Sequence, residues 1–374
     1  MSAASDNGTG KPTLFILTNM LSPYRMPLYE GLSKSFNLTL VVGKAETNRP
    51  EWGNLSSGLD KHGIKLLEAK GRSIRLAPDK FVHVNPGYLS LLFSLRPDAV
   101  ISLEMGFRSM CALTYSRFLN KPLWIWSGGT PLSEKHTSRL KRMTRAIFAK
   151  SKARWVSYGA LASEYLNSIG VKSDRIAQIQ NSVDERLFSP TGKRFDYAGA
   201  RPVLLVVGQL IDRKGIQQLF ESASRVSQRG YSFSLKLVGS GHRRQALEAV
   251  VAELGLTNVE FLGGVSPEVM PSYYRGADVL VFPTLEDIWG LVVNEAMLCG
   301  LPVVSSCYAG CVSELLNPQD VFDPLDAEKF DEAMIRAIGG QASAPDLSRL
   351  WGMRKVVEVI RSDVMSQLTV GAKG

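Results

Sequence analysis

Two carboxylates eight positions apart, Asp287 and Glu295, bracket a turn that carries Trp289 and Gly290. Glu295 sits among Leu291, Val292, Val293, Ala296 and Met297, and a carboxylate in such surroundings needs hydrogen-bond donors. A helix beginning near Gly290 would place Glu295 in its second turn and Asp287 in the loop before it. Both acids then lie close to free backbone N–H groups, which favour a phosphate or a hydroxyl-rich ligand. In the turn, Gly290 suggests close backbone approach and Trp289 an aromatic wall. The competing reading makes Asp287 a helix cap and Glu295 a solvated helix residue.

A second cluster is Gly208-Gln209-Leu-Ile-Asp-Arg213-Lys214-Gly215, between an apolar run and a helical pattern. Arg213 offers a planar fork and Lys214 a point charge, which together suit a diphosphate. Two surface cations on a solvated loop are the alternative. A third is Gly239-Ser-Gly241, again after an apolar run. It lacks the third glycine of a dinucleotide fingerprint, and no acid follows the next strand, so NAD binding is not supported. Cys111, Cys299, Cys307 and Cys311 form no C-x-x-C pair, the chain has 4 histidines, and no D-x-D motif occurs. No metal site and no cofactor are expected; reduced cysteines in a cytoplasmic protein are.

The elements that hold these residues follow from alternating periodicity. Apolar runs at 14–18, 38–42, 98–102, 123–126 and 154–158 read as strands, with helical spacing at 26–36, 87–94, 105–119 and 160–169. A second series has strands at 203–207, 234–238, 259–262, 279–282 and 302–305. Its helices fall at 215–228, 243–254, 269–274 and 291–299. Such alternation implies parallel sheets covered on both faces. The expected fold class is α/β, two tandem Rossmann-like doubly wound domains facing each other across a cleft. The expected division is a disordered N-terminus at 1–12, a first domain at 13–190, a linker at 191–200 and a second domain at 201–345. A C-terminal helix in 346–374 would cross back to the first domain, with Trp351 marking the crossing. Ligands in such sheets sit at the carboxyl ends of the strands, so the cleft is the expected site.

The net charge of +9 is uneven. Residues 1–198 hold 28 Lys and Arg against 15 Asp and Glu; the remainder holds 16 against 20. A basic first half points to an anionic partner. No nucleic-acid motif accompanies the charge, so nucleic acid is not expected. No window of about 18 apolar residues exists, so no membrane span is expected, nor is a signal peptide. Between His136 and Arg154 seven Lys and Arg accompany the apolar stripe Leu140, Met143, Ile147 and Phe148. The preferred reading is an amphipathic helix that packs this stripe on the first sheet, its charges giving weak peripheral contact with an anionic membrane. Lone histidines such as His83 and His136 are more often structural than catalytic. Glu104, after a strand, reads either as facing the cleft or as a helix cap.

The second half resembles the family 4 retaining glycosyltransferases of GT-B architecture (glycosyl transferases group 1). The residues that carry the resemblance are Gly208-Gln-Leu with Arg213-Lys214-Gly215, Leu237-Val-Gly-Ser-Gly241, Val259-Glu-Phe-Leu-Gly263 and Tyr273-Tyr-Arg-Gly-Ala-Asp278. They continue through Val281-Phe-Pro283, Asp287 to Met297 and Gly300-Leu-Pro-Val-Val304. Asn181-Ser-Val-Asp184 resembles the end of the family's first domain. Ser22-Pro-Tyr-Arg25 and Trp126-Ser-Gly-Gly129 are similar to one branch of it. The resemblance maps the family's E-x7-E acids onto Asp287 and Glu295, with Asp in place of the first Glu. It implies that Glu295 accepts hydrogen bonds from nucleotide ribose hydroxyls, that Asp287 touches the donor sugar, and that turn amides near Trp289, Gly290 and Leu291 approach the donor. Arg213 and Lys214 would hold the departing diphosphate without a metal. The implied partners are a nucleotide-diphosphate sugar and a saccharide acceptor, free or lipid-linked, in surface polysaccharide synthesis. The first-strand loop, Thr18 to Arg25, lacks the family's glycines, which leaves Tyr24 and Arg25 as acceptor-side candidates. A nucleotide-sugar epimerase of the same architecture and a non-catalytic sugar-nucleotide scaffold are the alternatives.

Overall fold

The computed structural model describes residues 10–43, 56–77, 80–135 and 137–371. Residues 1–9 of the stretch expected to be disordered lie outside these, as do His136 and the side chain of His83. The first half forms β1 (Thr13–Thr18), β2 (Asn37–Val42), β3 (Lys65–Glu68), β4 (Arg72–Ala77), β5 (Lys80–Val84), β6 (Ala99–Leu103), β7 (Leu123–Ser127), β8 (Arg154–Tyr158) and β9 (Ile176–Ile179). Seven of them build one parallel sheet in the order β3-β2-β1-β6-β7-β8-β9, while β4 and β5 pair antiparallel apart from it. Its helices are α1 (Met26–Ser33), α2 (Ser56–Asp60), α3 (Gly87–Leu95), α4 (Phe107–Leu119), α5 (Arg139–Lys150) and α6 (Gly159–Ser168).

The second half adds β10 (Val203–Val207), β11 (Ser234–Val238), β12 (Val259–Gly263), β13 (Val279–Phe282), β14 (Val303–Ser306) and β15 (Val321–Phe322). These form a six-stranded parallel sheet in the order β12-β11-β10-β13-β14-β15. Its helices are α7 (Ile216–Gln228), α8 (Arg244–Glu253), α9 (Met270–Gly276), α10 (Leu291–Leu298), α11 (Val312–Leu315) and α12 (Ala327–Ile338), followed by α13 (Met353–Gly371). The order of the second sheet is that of a doubly wound dinucleotide-type fold, whose ligand crevice opens where the winding reverses, between β10 and β13. The expected fold class is what the chain adopts. No helix among the described residues is long and apolar enough to cross a membrane.

The strands are apolar on both faces because each face is covered. Leu14 and Ile16 of β1 pack into one core while Phe15 and Leu17 pack into another. Val203 and Leu205 of β10 share the first of these cores, and Leu204 and Val206 enter a third. One apolar core therefore runs continuously from the first sheet to the second. α13 returns to the first half: Asp363 accepts from Trp124 Nε1 at 2.5 Å and pairs with Arg154 at 2.6 Å. The amide of Gln180 ties the crossing together. Its Nε2 donates to the Arg349 carbonyl at 3.0 Å and to Glu314 at 3.2 Å, and its Oε1 accepts from the Trp351 N–H at 2.8 Å. The segment 191–200 lies against α9, with the Phe195 N–H bonded to the Ser272 carbonyl at 2.8 Å and the Phe195 ring stacked on Tyr273.

One expectation is overturned. The α5 stripe does not pack on the sheet: Leu140, Met143 and Ile147 are 72%, 65% and 50% exposed. The helix buries Arg145, Phe148 and Ala149 instead, with Arg145 ion-paired to Glu134. That buried pair fixes the rotation of the helix and turns three of the four apolar residues outward.

Candidate active site

A cleft of about 620 Å³ opens between the two halves. Its second-half wall includes Gly208, Gln209, Gly239, Leu291, Val292 and Glu295, at the carboxyl ends of strands or in the first turns of α10. Tyr24, Met26, Glu30 and His62 line the first-half side.

Glu295 is half-buried on that wall and accepts a 2.6 Å hydrogen bond from the hydroxyl of Tyr274, which is fully buried. Burial pushes the Glu295 carboxyl up to about 7, and the Tyr274 hydroxyl draws it back down. Near neutral pH this acid therefore changes charge at the cleft surface. α10 begins at Leu291 directly after Gly290, whose φ of 99° no side chain with a Cβ adopts cheaply. The helix has no side-chain cap; the Val293 N–H bonds the Gly290 carbonyl at 2.9 Å, and the N–H groups of Leu291 and Val292 are left for a ligand.

Asp287 is committed to partners. Its carboxylate pairs with Lys214 Nζ at 2.5 Å and accepts from the Trp289 N–H at 3.2 Å. Its backbone is pinned by the Tyr308 carbonyl at 3.2 Å and the Gly310 N–H at 3.0 Å. Arg213 is exposed, lies 4.0 Å from the same carboxylate, and donates to the Glu286 carbonyl at 3.0 Å. The two cations and Asp287 thus form one ionic cluster beside the cleft. The carbonyl of Arg213 accepts from the Leu285 N–H at 2.8 Å and from Thr284 Oγ1 at 3.0 Å, which locks this loop to the loop after β13. Glu286 points its side chain to solvent.

Trp289 departs from its expected role. Its ring is 1% exposed, donates Nε1 to Asn294 Oδ1 at 2.8 Å, and packs against Gly159 at the start of α6. It is no aromatic wall for a ligand; it joins the two halves beneath the cleft. Gly241 is exposed and lines no part of the cleft. The glycine at 239 has a packing reason, because any Cβ there would collide with the Gly208 carbonyl, where the Gly208 N–H bonds Val238 O at 3.0 Å.

Glu104 is neither a helix cap nor buried in the cleft. It adopts φ 65° with an exposed side chain, and Gly106 precedes α4. Tyr24 reaches the cleft, and Arg25 lies just behind it. Sequence reasoning did not single out Tyr274, although it stands in a quoted motif, Tyr273 to Asp278. A tyrosine two positions before a glycine is no signal by itself. Nor did it single out Asn294, Gln180 or Glu314, which couple the halves through side-chain bonds.

Residues 193–349 match the family model of glycosyl transferases group 1. A GDP-mannose-dependent alpha-(1-6)-phosphatidylinositol monomannoside mannosyltransferase of Mycolicibacterium smegmatis is 27% identical over 224 residues, 57% of this chain and 54% of that protein. The chain spans from 28% to 57% of the length of the first curated relatives it matches. Among solved structures, sucrose-phosphate synthase from Thermosynechococcus elongatus superposes with a TM-score of 0.68 at 18% identity, covering 95% of this chain and 94% of that one. Anabaena HepE, in complex with UDP and glucose, does so with a TM-score of 0.66 at 16% identity, covering 97% and 98%. These likenesses show the fold.

Proposed function

We propose that this chain is a retaining, metal-independent glycosyltransferase that moves a sugar from a nucleotide-diphosphate sugar to a saccharide acceptor. The observation that carries the reading is the Glu295 carboxylate, held by Tyr274 on the cleft wall beside the uncapped start of α10. Such a carboxylate accepts hydrogen bonds from vicinal ribose hydroxyls, and the open N–H groups receive the sugar or its phosphates. Lys214 and Arg213 stabilise the negative charge that develops on the diphosphate as the bond to the sugar's anomeric carbon breaks, the task a metal performs elsewhere. Asp287 holds Lys214 in place for it. The named relatives support the donor class: one uses GDP-mannose, and HepE is solved with UDP and glucose.

The acceptor is a lipid-linked or free saccharide of a surface polysaccharide. The outward apolar stripe and basic residues of α5 support peripheral contact with an anionic membrane. The test is nucleoside diphosphate release from UDP-, GDP- and ADP-sugars, with and without EDTA, in the wild type and in Lys214→Ala. One donor should be turned over equally in EDTA, with turnover lost in the variant. No release from any donor sinks the reading, and abolition by EDTA sinks its metal independence.

A further inference from the structure

Two cations lie near one another in the first half, Arg25 behind Tyr24 of the cleft wall and Arg108 at the start of α4. Arg25 opens α1 directly behind Tyr24. Its Nη2 donates to the Tyr158 hydroxyl at 3.1 Å, and its guanidinium carbon lies 5.4 Å from the Tyr24 ring and 5.7 Å from the Trp126 ring. The groups that face its charge are Tyr158, Tyr24 and Tyr29, with no carboxylate among them. Arg108, 9% exposed at the start of α4, spends its Nε on the Leu103 carbonyl at 2.7 Å. Burial and Arg25 disfavour its charge, while Tyr88 and the Glu104 carboxylate favour it. Of the two, Arg25 is the one faced by no carboxylate among the described residues.

Around Arg25 further donors are left over. Arg25 Nε, Trp126 Nε1 and the hydroxyls of Ser22 and Tyr29 are buried and have no hydrogen-bond partner among the described residues. Ser22, Tyr29 and Trp126 are 1%, 0% and 3% exposed. A buried polar group without a partner is costly, and an unpaired buried charge costs more. A guanidinium faced by no carboxylate, together with several spare donors at the carboxyl ends of β7 and β8, favours negative charge there. Ser22, Arg25 and Tyr29 follow one another at helical spacing, so they share a face of the chain entering α1.

We propose that Arg25, supported by Arg108, binds an anionic group of the acceptor, a phosphate or a carboxylate on the saccharide. This deepens the glycosyltransferase reading and rests on it for the word acceptor; the anion site itself does not depend on the donor site. Arg25 takes the oxyanion by charge-assisted hydrogen bonds, and the aromatic rings on either side of it exclude water. A neutral sugar offers nothing to offset the charge of Arg25.

The test is thermal stabilisation and calorimetric binding with glucose 6-phosphate, glucuronate and neutral glucose, on the wild type, Arg25→Gln, Arg108→Gln and Lys214→Ala. At least one of the two anionic sugars should bind the wild type and Lys214→Ala alike, and glucose should not. Binding should weaken at least tenfold in Arg25→Gln and to a lesser degree in Arg108→Gln; the anion that binds names the group. Unchanged nucleotide binding by Arg25→Gln would show that it is folded, and Arg108→Gln gives the independent answer if it is not. The proposal is overturned if neither anion binds, or if binding survives both arginine variants and disappears in Lys214→Ala, which would place the anion at the diphosphate site. Loss of nucleotide binding by the wild type would instead count against the donor reading and leave the anion result standing.

Discussion

The hydroxyl of Tyr274 donates a 2.6 Å hydrogen bond to Glu295 Oε2, and this bond aims the acid at the cleft. The raised pKa of Glu295, about 7, has two consequences of opposite sign. In the unfolded chain a glutamate titrates near 4.3, so between roughly pH 4.3 and 7 the folded state holds a proton that the unfolded state has lost. The contribution of this group to stability is therefore fully present below the unfolded value and is lost as pH rises through 7. Glu295→Gln, which keeps an acceptor for Tyr274, should stabilise the ligand-free protein by about 1–2 kcal/mol at pH 8 and by little at pH 4.5. Thermal melts at the two pH values check this; equal melting shifts would contradict it.

Ligand binding should run the other way. Ribose hydroxyls bond best to the ionised carboxylate, so nucleotide affinity should climb from pH 6 to pH 8 and then level off. The rise should vanish in Glu295→Gln. Calorimetric titrations across this range read it, and a flat profile in the wild type would count against Glu295 as the ribose acceptor.

The 2.5 Å pair between Lys214 and Asp287 makes a separate expectation. Lys214→Ala should lower kcat by about 100- to 1,000-fold, the range for removing one group that stabilises developing negative charge. Asp287→Asn removes the negative charge beside Lys214 and keeps the lysine, so it should lower kcat less. Steady-state kinetics with the preferred donor decides. A Lys214→Ala enzyme with unchanged kcat would remove the lysine from the mechanism.

Trp289 supports the joint between the halves, not the ligand. Trp289→Phe loses the bond to Asn294 and should cost about 1–2 kcal/mol of stability, with the donor KM nearly unchanged at a temperature where the variant is folded. A tenfold rise in KM with unchanged stability would restore the ring to the binding site.

The sheets were legible because parallel strands are buried on both faces and so read as continuous apolar runs; Val203 to Val207 and Arg154 to Tyr158 are found as expected. What escaped is what lacks that signal. β3, Lys-Leu-Leu-Glu, is a mostly exposed edge strand, and β15 is two residues long. α12 is amphipathic, but its apolar face, Phe330, Ala333 and Met334, was not picked out. At the site, the acid at 295 stood out by its apolar neighbours, whereas its partner Tyr274 comes from another helix and could be seen only once the chain had folded. The direction of the Trp289 ring was equally hidden, because it is set by the left-handed backbone at Gly290 and by Asn294. The facing of α5 depended on a buried Arg145–Glu134 pair that no periodicity reveals.

The exposed stripe of α5 gives an expectation of its own. The protein should sediment with vesicles containing phosphatidylglycerol and not with purely zwitterionic ones, because Arg139, Arg142 and Lys150 accompany the apolar residues. Replacing Leu140, Met143 and Ile147 together by Ser should reduce vesicle binding at least tenfold without lowering the melting temperature, since all three are exposed. Equal binding by this triple variant would show that the stripe takes no part.

The most direct test of the donor site is a calorimetric titration of UDP, GDP and ADP into the wild type and Glu295→Ala at pH 8. One nucleotide should bind the wild type with a clear preference over the other two, and Glu295→Ala should bind it at least tenfold more weakly. Equal affinity of the two proteins for that nucleotide, or no binding of any of the three by the wild type, would contradict the assignment of the cleft as a nucleotide-sugar site.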